Sequence, residues 1–373
     1  MEVEILQENL IKGISSVSRF VAVKPSLPVL AMVLLKAKGK KVSLLATDMD
    51  TGIEVGVGAR VIKEGTLAVP AKLMMDYVNS LPAGKLTLTV NENELKIVSG
   101  RNKAKITGME ASEFPEMPEL TGKKKIVFNG EELSRLVRLV SFATLTEMTR
   151  PVLSAMLFKF GGKGGVEVVA TDGYRLSLLS KVAINGDVGE MNLLVSSRVI
   201  SEVERLAKEG GGEEIEMVMD QEGKSVSFAF GEVKLVAKAV EGEFPDYKKI
   251  LPKEGSVVFR SSRDDLMEAV RLAAVFARES SNIVKWKVDK SGLVMSSNSS
   301  SIGEQESGVE GELIKGEEGK IAFNSKFLSE LLTNVSEGVI EFSMNDALQP
   351  GLFKTADKDF LHVIMPVRVQ GEE

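Results

Sequence analysis

The sequence predicts an α+β protein made of three tandem copies of one unit, each about 125 residues long. Three features support this prediction: a turn that recurs, a helix start that recurs, and strand-like alternation through the rest of each copy. The turns contain Asp48, Asp172 and Asn298, which follow Ala-Thr, Ala-Thr and Ser-Ser and are spaced by 124 and 126 residues. Three matches in one order at nearly constant spacing indicate a repeat instead of chance similarity.

The middle copy of the turn, within Val169–Ser180, is the clearest hairpin in the chain. An apolar run with branched residues breaks at an Asp-Gly pair, which tolerates positive φ, and then resumes. The short polar tip of this hairpin is expected to place Thr171, Tyr174 and Arg175 where a partner could touch them.

Each copy is expected to contain two amphipathic helices and roughly eight strands. The second helix follows a strand and opens at a capping or first-turn residue, which is Pro70, Ser196 or Asn324. A basic residue follows in every copy, at Lys72, Arg198 and Lys326. The first helix is predicted from apolar residues that recur at helical spacing.

Chain length and composition agree with several folded domains. At 373 residues the chain exceeds a single ordinary core, and 43% hydrophobic residues are enough to build more than one. The segments between copies, residues 120–125 and 252–256, read as linkers that contain glycine and lysine. The predicted domains are therefore residues 1–122, 123–253 and 254–373.

Composition excludes several classes of function. There are no cysteines, so disulfides, thiolate zinc sites and cysteine nucleophiles are ruled out. The N-terminal residues lack the basic and apolar blocks of a signal peptide, and no apolar run approaches a membrane span. We therefore expect a cytoplasmic protein with no cofactor and no metal. The net charge of −6 disfavours indiscriminate binding to nucleic acid but leaves room for a local basic surface.

Residues suited to catalysis are scarce. The single histidine, His362, lies in an apolar segment and is interpreted as a strand residue, because no triad or two-histidine metal site can be built with it. The segment Gly161–Gly165 lacks the spacing of a phosphate-binding loop and is interpreted as a hairpin connection. Asp48 and Asp50 are interpreted as solvated turn residues. We expect no enzymatic activity.

Basic residues recur on the predicted helices of this acidic chain. In any single helix they could serve solubility alone. Their repetition at matched helix starts favours a basic surface, assembled from several helices, that meets phosphates without reading bases. The residues assigned to this surface are Lys12, Lys72, Arg135, Arg138, Arg198, Arg205 and Lys326.

Six segments of the chain resemble the bacterial sliding clamp, the beta subunit of DNA polymerase III. They are Lys24–Leu30, Ala46–Asp48, Arg150–Leu153, Ala170–Leu176, Phe244–Pro252 and Val363–Arg368. Each segment is a weak signal by itself. Together they occur in order, at matching spacing, and the resemblance covers the whole chain.

The resemblance implies a ring. In that family two protomers associate head to tail as a homodimer, and the three DNA-clamp domains of each protomer close a ring whose helices line the hole. Such a ring would encircle double-stranded DNA, slide without sequence specificity and give processivity to DNA replication. Its implied protein partners are the DNA polymerase III alpha subunit, the clamp loader, and other polymerases and repair proteins.

The resemblance also implies a pocket, between the second and third domains, that receives a short linear motif from these partners. Apolar side chains, one flexible methionine and flanking arginines suit an extended peptide with one or two anchors. The implied apolar lining is Leu153, Thr171, Leu176, Pro245, Ile250, Val363, Met365 and Val367. The implied rim and polar contacts are Gly173, Tyr174, Arg175, Pro366 and Arg368.

Three positions depart from the family pattern. Tyr174 stands where the family commonly has histidine, so the gating of the pocket could differ. Lys24 replaces a frequent arginine in a loop implied to contact DNA, and it keeps the charge without the planar guanidinium. The third turn, Ser296–Asn298, is degenerate, as expected if only the middle copy carries the peptide site.

Two alternatives stay open at this point. A scaffold that uses the same three-unit fold only to dock proteins would not be retained on closed circular DNA. A hydrolase with an unrecognised acidic site would turn over a substrate, with or without a divalent metal. The prediction we favour is a DNA-encircling processivity clamp without catalytic activity.

Overall fold

The computed structural model describes residues 1–22, 25, 27–117, 120, 124–147, 149–162, 165–252, 255–299 and 303–368. Over these residues the chain forms six α-helices and 26 β-strands, and the order of elements recurs three times. The predicted α+β class and the two helices of each repeat are confirmed. No helix in this described part is long and apolar enough to cross a membrane.

The elements of the three repeats follow one another in the same order, except that the second repeat has one strand fewer before its second helix. The first repeat contains β1 (Glu2–Leu6), α1 (Gln7–Ser18), β2 (Met32–Lys38), β3 (Lys41–Thr47), β4 (Thr51–Val57), β5 (Ala59–Lys63), β6 (Gly65–Pro70), α2 (Ala71–Ser80), β7 (Lys85–Asn91), β8 (Glu94–Ser99) and β9 (Asn102–Thr107). The second contains β10 (Lys124–Asn129), α3 (Gly130–Val140), β11 (Ala155–Gly162), β12 (Gly165–Thr171), β13 (Arg175–Val182), β14 (Met191–Ser196), α4 (Ser197–Gly210), β15 (Glu214–Met219), β16 (Ser225–Phe230) and β17 (Val233–Lys238). The third contains β18 (Val257–Ser262), α5 (Arg263–Ala277), β19 (Ile283–Asp289), β20 (Gly292–Ser299), β21 (Gly303–Val309), β22 (Glu312–Lys315), β23 (Gly319–Asn324), α6 (Ser325–Asn334), β24 (Val339–Met344), β25 (Gly351–Lys354) and β26 (Phe360–Ile364).

The helix starts follow their predicted chemistry. Asn324 caps α6, and its Oδ1 accepts a hydrogen bond from the Lys326 backbone N–H at 2.9 Å. Ser262 caps α5 in the same way by accepting from the Asp265 N–H at 3.0 Å. Pro70 occupies the N-cap position of α2, where a backbone N–H would have no helical partner. Local sequence therefore determines where these helices begin.

Two compact units make up the chain, and they divide the middle repeat between them. The first unit, residues 1–130, 185–188 and 198–239, contains a five-stranded sheet and an eight-stranded sheet. The second unit comprises the remaining residues and contains a nine-stranded sheet and a four-stranded sheet. The domain boundaries predicted after residues 122 and 253 stay predictions.

One strand pairing recurs in both units. In the first unit β4 pairs with β17, so the fourth strand of the first repeat meets the last strand of the second. In the second unit β13 pairs with β26, which is the same pairing between the second and third repeats. The third members of this set, β21 and β9, are edge strands of their own sheets. An edge strand leaves one row of backbone N–H and C=O groups without a strand partner.

The cores are apolar and closely packed. In the first unit α1 buries Leu10, Ile14 and Val17, which recur at the predicted helical spacing. In the second unit the ring of Trp286 lies edge-on to that of Phe323, with ring centroids 5.5 Å apart. These cores make the sheets rigid supports for the turns and strand ends described next.

Candidate peptide-binding pocket and basic helix faces

The hairpin between β12 and β13 is held by the side chains of its own turn. Asp172 Oδ1 accepts hydrogen bonds from the backbone N–H groups of Tyr174 at 2.8 Å and Arg175 at 3.0 Å. Thr171 Oγ1 donates to the Arg175 carbonyl at 2.6 Å and accepts from the Gly173 N–H at 3.1 Å. Gly173 has a φ of +93°, which glycine adopts without strain. Of the three tip residues predicted to be accessible, only Tyr174 is exposed, because Thr171 and Arg175 are buried.

Arg175 lies beneath the turn, so the expectation that it forms part of the rim is wrong. The residue is 7% exposed, and its Nε donates to Asp172 Oδ2 at 3.0 Å. Its guanidinium also pairs with Glu330 of α6 at 2.5 Å. The same group lies 4.6 Å from the ring centroid of Phe327 and 5.5 Å from that of Phe142. Two carboxylates and two aromatic faces therefore hold this cation in place.

The last strand and the segment after it run beside β13. Leu176 lies opposite Val363 in the register of β13 and β26, and both side chains are buried. Beyond the strand, the Met365 N–H donates to the Tyr174 carbonyl at 2.8 Å, so the pairing continues as far as the turn. Met365 is half-buried. Pro366 and Val367, which follow, are half-buried, and Arg368 is exposed.

The segment between the second and third repeats packs on the same apolar cluster. Tyr247 is buried there with Leu176 and Val363, and Phe244 packs against them. The Tyr247 hydroxyl donates to the Glu167 carboxylate. Burial, and then this hydrogen bond, raises the pKa of Tyr247. The two residues of this segment predicted to line the pocket are exposed: Pro245 and Ile250.

The structure brings Leu176, Tyr247 and Val363, from distant parts of the chain, into one buried apolar cluster of the second unit. Leu153, Leu176 and Val363 are buried, while Met365 is half-buried and Tyr174 is exposed. Buried apolar groups bordered by accessible ones suit an extended peptide with an apolar anchor. Sequence reasoning missed Tyr247, although an aromatic residue within an otherwise polar segment was a signal that could have found it.

His362 lies in β26 and is fully buried, as predicted for a strand residue. Its Nδ1 is 2.8 Å from Ser177 Oγ, and its ring stacks on that of Phe142 with centroids 5.2 Å apart. Burial, and then the charge of Arg175, lowers the pKa of His362 to about 3. The imidazole is therefore neutral near pH 7.

Five of the predicted DNA-facing residues are exposed on helices. Three of these donate to backbone carbonyls of neighbouring segments: Lys12 to Glu209 at 3.2 Å, Arg138 to Asn334 at 2.5 Å and Arg198 to Arg19 at 2.7 Å. A carbonyl carries no net charge, so these contacts orient the cations without neutralising them. The other two lie in the first turns of their helices: Lys72 and Lys326. Lys72 pairs with Asp76 at 2.8 Å, but this pair is largely exposed and weak.

Arg135 and Arg205 are already paired with carboxylates, which argues against their predicted role at phosphates. Arg135 makes two hydrogen bonds of 2.7 Å to Asp357 and one of 2.6 Å to Glu132. The bonds to Asp357 are the main cause of the raised pKa of Arg135. Arg205 is held by two glutamates of its own helix at 2.8 and 2.7 Å. The remaining predicted DNA contact, Lys24, lies outside the described residues.

No metal site emerges from the residues that the structure describes, where no three histidine, aspartate or glutamate side chains are grouped to hold an ion.

Comparison with known proteins identifies the family. Models of the N-terminal, central and C-terminal domains of the DNA polymerase III beta subunit match residues 1–118, 127–246 and 248–368. A beta sliding clamp from Pseudomonas aeruginosa is 31% identical over 376 residues, which cover 99% of this chain and 100% of that protein. The chain belongs to the DNA polymerase III beta subunit family.

Other family members agree over their full lengths. The beta sliding clamp of Synechocystis sp. is 29% identical over 387 residues, covering 97% of this chain and 98% of that protein. A crystal structure of the Caulobacter crescentus clamp is similar with a TM-score of 0.93 at 29% identity, covering 99% and 100% of the two chains. The Pseudomonas aeruginosa beta subunit has a TM-score of 0.91 at 30% identity, with the same coverage. The resemblance seen in the sequence is confirmed, and the chain is a sliding clamp of DNA replication.

Proposed function

We propose that two copies of this chain close head to tail into a ring around duplex DNA, slide along it without reading its sequence, and hold replication proteins there. In this role the protein is a non-catalytic processivity subunit. Its partners are the DNA polymerase III alpha subunit, the clamp loader, and other polymerases and repair proteins that carry the short linear motif. The observation that carries the proposal is that β9 and β21, the counterparts of the two strand pairs formed within the chain, are both edge strands.

The ring would close if the pairing seen between β4 and β17, and between β13 and β26, formed a third time between β21 of one copy and β9 of the other. In the first instance Glu54 of β4 lies opposite Lys234 of β17. The matching residue of β21 is Glu304, which lies 250 positions after Glu54. The matching residue of β9 is Lys103, which occupies the same place in the β8–β9 hairpin as Lys234 does in the β16–β17 hairpin. A second copy would therefore place its Lys103 opposite Glu304.

The helices support the same arrangement. Lys12 of α1 contacts α4, and Arg138 of α3 contacts α6, so the first helix of one repeat meets the second helix of the next. The third instance of this contact would join α5 of one copy to α2 of the other. Both helices expose apolar side chains: Leu272 and Val275 on α5 and Leu73 on α2. Closure would bury these side chains, which stabilises association.

Exchanging the charges of Lys103 and Glu304 tests the proposed pairing of β9 with β21 between two copies. Lys103→Glu or Glu304→Lys puts like charges opposite each other, and we expect either variant to raise the dimer dissociation constant about tenfold, equivalent to about 1.4 kcal/mol. The double variant restores opposite charges and should dimerise nearly as the wild-type protein does. Sedimentation velocity over a concentration series measures all three dissociation constants.

Lys63→Glu provides a matched control, because Lys63 is exposed on β5 at the opposite edge of the same five-stranded sheet. It makes the same charge change without touching the proposed joint and should leave dimerisation unchanged. Single variants at Lys103 and Glu304 that behave like this control would rule out the register.

The second part of the proposal concerns DNA. Lys72, Arg198 and Lys326 are exposed at equivalent starts of α2, α4 and α6, where they would face the duplex inside a ring. Replacing all three with glutamine should lower the slope of log K against log salt by about three per protomer, because each phosphate contact contributes about 0.9. The loss of affinity should be similar for unrelated DNA sequences.

A control separates charge from position. Arg135→Gln removes a cation whose charge is already compensated by Asp357 and Glu132. We expect this variant to keep the wild-type salt slope. Filter binding between low and moderate salt distinguishes the two variants, and equal slopes would contradict the assignment of the helix starts to DNA.

The third part is the peptide pocket. We assign its apolar lining to the buried cluster around Leu176 and Val363, with Met365 and Ile250 as accessible walls and Tyr174 at the rim. Leu153, Pro245, Pro366, Val367 and Arg368 complete the proposed site, and Thr171 and Gly173 shape its turn. The support is the burial of Leu176, Tyr247 and Val363 in one cluster, together with the hydrogen bond from the Met365 N–H to the Tyr174 carbonyl.

A further inference from the structure

The turn of the first repeat is built like that of the second, but it contains no arginine. Thr47 Oγ1 donates to the Thr51 carbonyl at 2.9 Å. Asp48 Oδ1 accepts from the N–H groups of Asp50 at 3.1 Å and Thr51 at 2.7 Å. Each bond has its counterpart around Asp172 in the second repeat. Thr51 stands where the second repeat has Arg175.

The strand joint beside each turn is also the same. The Lys238 N–H donates to the Asp50 carbonyl at 2.8 Å, as the Met365 N–H does to the Tyr174 carbonyl. The turn and its pairing with the last strand of the next repeat therefore form without an arginine. Arg175 must be explained by something other than the folding of the turn.

What Arg175 adds is a connection between the turn and α6. Its guanidinium bonds Asp172 within the turn, pairs with Glu330 and lies over Phe327, and the last two residues are both in α6. Burying a guanidinium costs free energy unless carboxylates compensate it, and Asp172 and Glu330 do so here. The guanidinium carbon also lies over the ring of Phe142, 5.5 Å from its centroid, which adds a cation–π contact.

We propose that Arg175 is a positioning residue of the peptide pocket, which fastens the Asp172–Tyr174 turn to α6 without touching the peptide. By doing so it holds the exposed Tyr174 side chain and the carbonyl that binds Met365 in the geometry that receives the ligand. This inference rests on the peptide pocket of the proposed function, and it replaces the direct polar contact that the sequence implied for Arg175. A turn released from α6 would have to be ordered by the peptide, which lowers affinity.

The test uses the residue that the first repeat carries at this position. Arg175→Thr should leave the turn folded but detached from α6. Binding of a fluorescein-labelled peptide with the short linear motif of the alpha subunit should weaken about tenfold in fluorescence anisotropy, because hydrogen bonds to charged groups are lost. Hydrogen exchange of the Met365 amide should become faster, while amides in the middle of α6 and β26 keep their protection.

Two further variants distinguish positioning from general loss of structure. Arg175→Lys retains the charge beside Glu330 but loses the planar group, so it should recover part of the affinity. Glu330→Gln should weaken binding by less than Arg175→Thr, since the bond to Asp172 remains. The double variant should bind no more weakly than Arg175→Thr alone, because both changes break the same connection.

The outcomes are separable. Wild-type peptide affinity and an unchanged Met365 amide in Arg175→Thr would overturn the proposal. Faster exchange throughout α6 and β26, without recovery in Arg175→Lys, would also overturn it by showing a purely structural role. If the wild-type protein fails to bind the peptide while Arg175→Thr still loosens the Met365 amide alone, the pocket assignment fails, and only the fastening of the turn to α6 by Arg175 stands.

Discussion

Met365→Ala should weaken binding of the alpha-subunit peptide about thirtyfold, because truncation of an anchor wall at a binding hot spot costs about 2 kcal/mol. The residue combines two properties that such a wall requires. Its backbone N–H is fixed by the Tyr174 carbonyl, and its side chain is half-buried, so it remains accessible to a ligand. A methionine side chain also adapts to different apolar anchors.

Fluorescence anisotropy of the labelled peptide measures this loss. Leu348→Ala is a suitable control, because Leu348 is an exposed apolar residue of the same unit and lies outside the proposed pocket. Dimerisation of Met365→Ala should be unchanged, since the proposed joint uses β21 and β9. Unaltered peptide affinity would remove Met365 from the site, and sedimentation as a monomer would assign it to ring closure instead.

A pH-dependent loss of stability is the second large effect that we expect, and it arises at His362. In the unfolded chain this histidine takes up a proton below pH 6.5, whereas in the folded protein its pKa is lowered to about 3. The unfolded state therefore binds more protons between these values, so stability is fully present above pH 6.5 and falls as the pH drops towards 3. Between pH 8 and pH 5 the expected loss is about 2 kcal/mol.

Comparison with a variant isolates this contribution from other titrating groups. His362→Asn keeps a polar atom close to Ser177 Oγ but does not titrate. Urea unfolding at pH 8, 6.5 and 5 should therefore show a shallower dependence on pH for the variant. Identical slopes would mean that His362 becomes protonated in the folded protein without cost.

Features encoded in short stretches of sequence were predictable. The Asp172 turn, the cap at Asn324 and the strand position of His362 depend on neighbouring residues and on apolar periodicity. Because the unit is repeated three times, each of these weak local patterns could be checked against the other copies. For this reason the order of helices and strands could be derived before any long-range contact was known.

Features that depend on distant pairing were not predictable. Arg135 was assigned to DNA because it lies on a helix, but its charge is taken up by Asp357, which lies 222 positions away. Arg175 was assigned to the pocket rim, and its burial depends on Glu330 of another repeat. A sequence shows that a cation is present, but only the fold shows whether a carboxylate already compensates it.

The position of a strand at the edge of its sheet also depends on distant pairing and was not predictable from local sequence. Local alternation predicts the strands β9 and β21, but it does not indicate that they lie at the ends of their sheets. That property emerges only when the other two pairings, β4 with β17 and β13 with β26, are seen within the chain. The resemblance in the sequence implied a ring, but the strands proposed to close it, and their register, are derived from the structure.

Retention on DNA of different topology tests the ring most directly. The protein is loaded by a clamp loader onto nicked circular DNA, separated from unbound protein by gel filtration, and divided into two portions. One portion is cut once with a restriction enzyme. The ring account predicts that the protein stays with the circular DNA and is lost from the linear DNA by sliding off its ends. Equal retention on both molecules would contradict it.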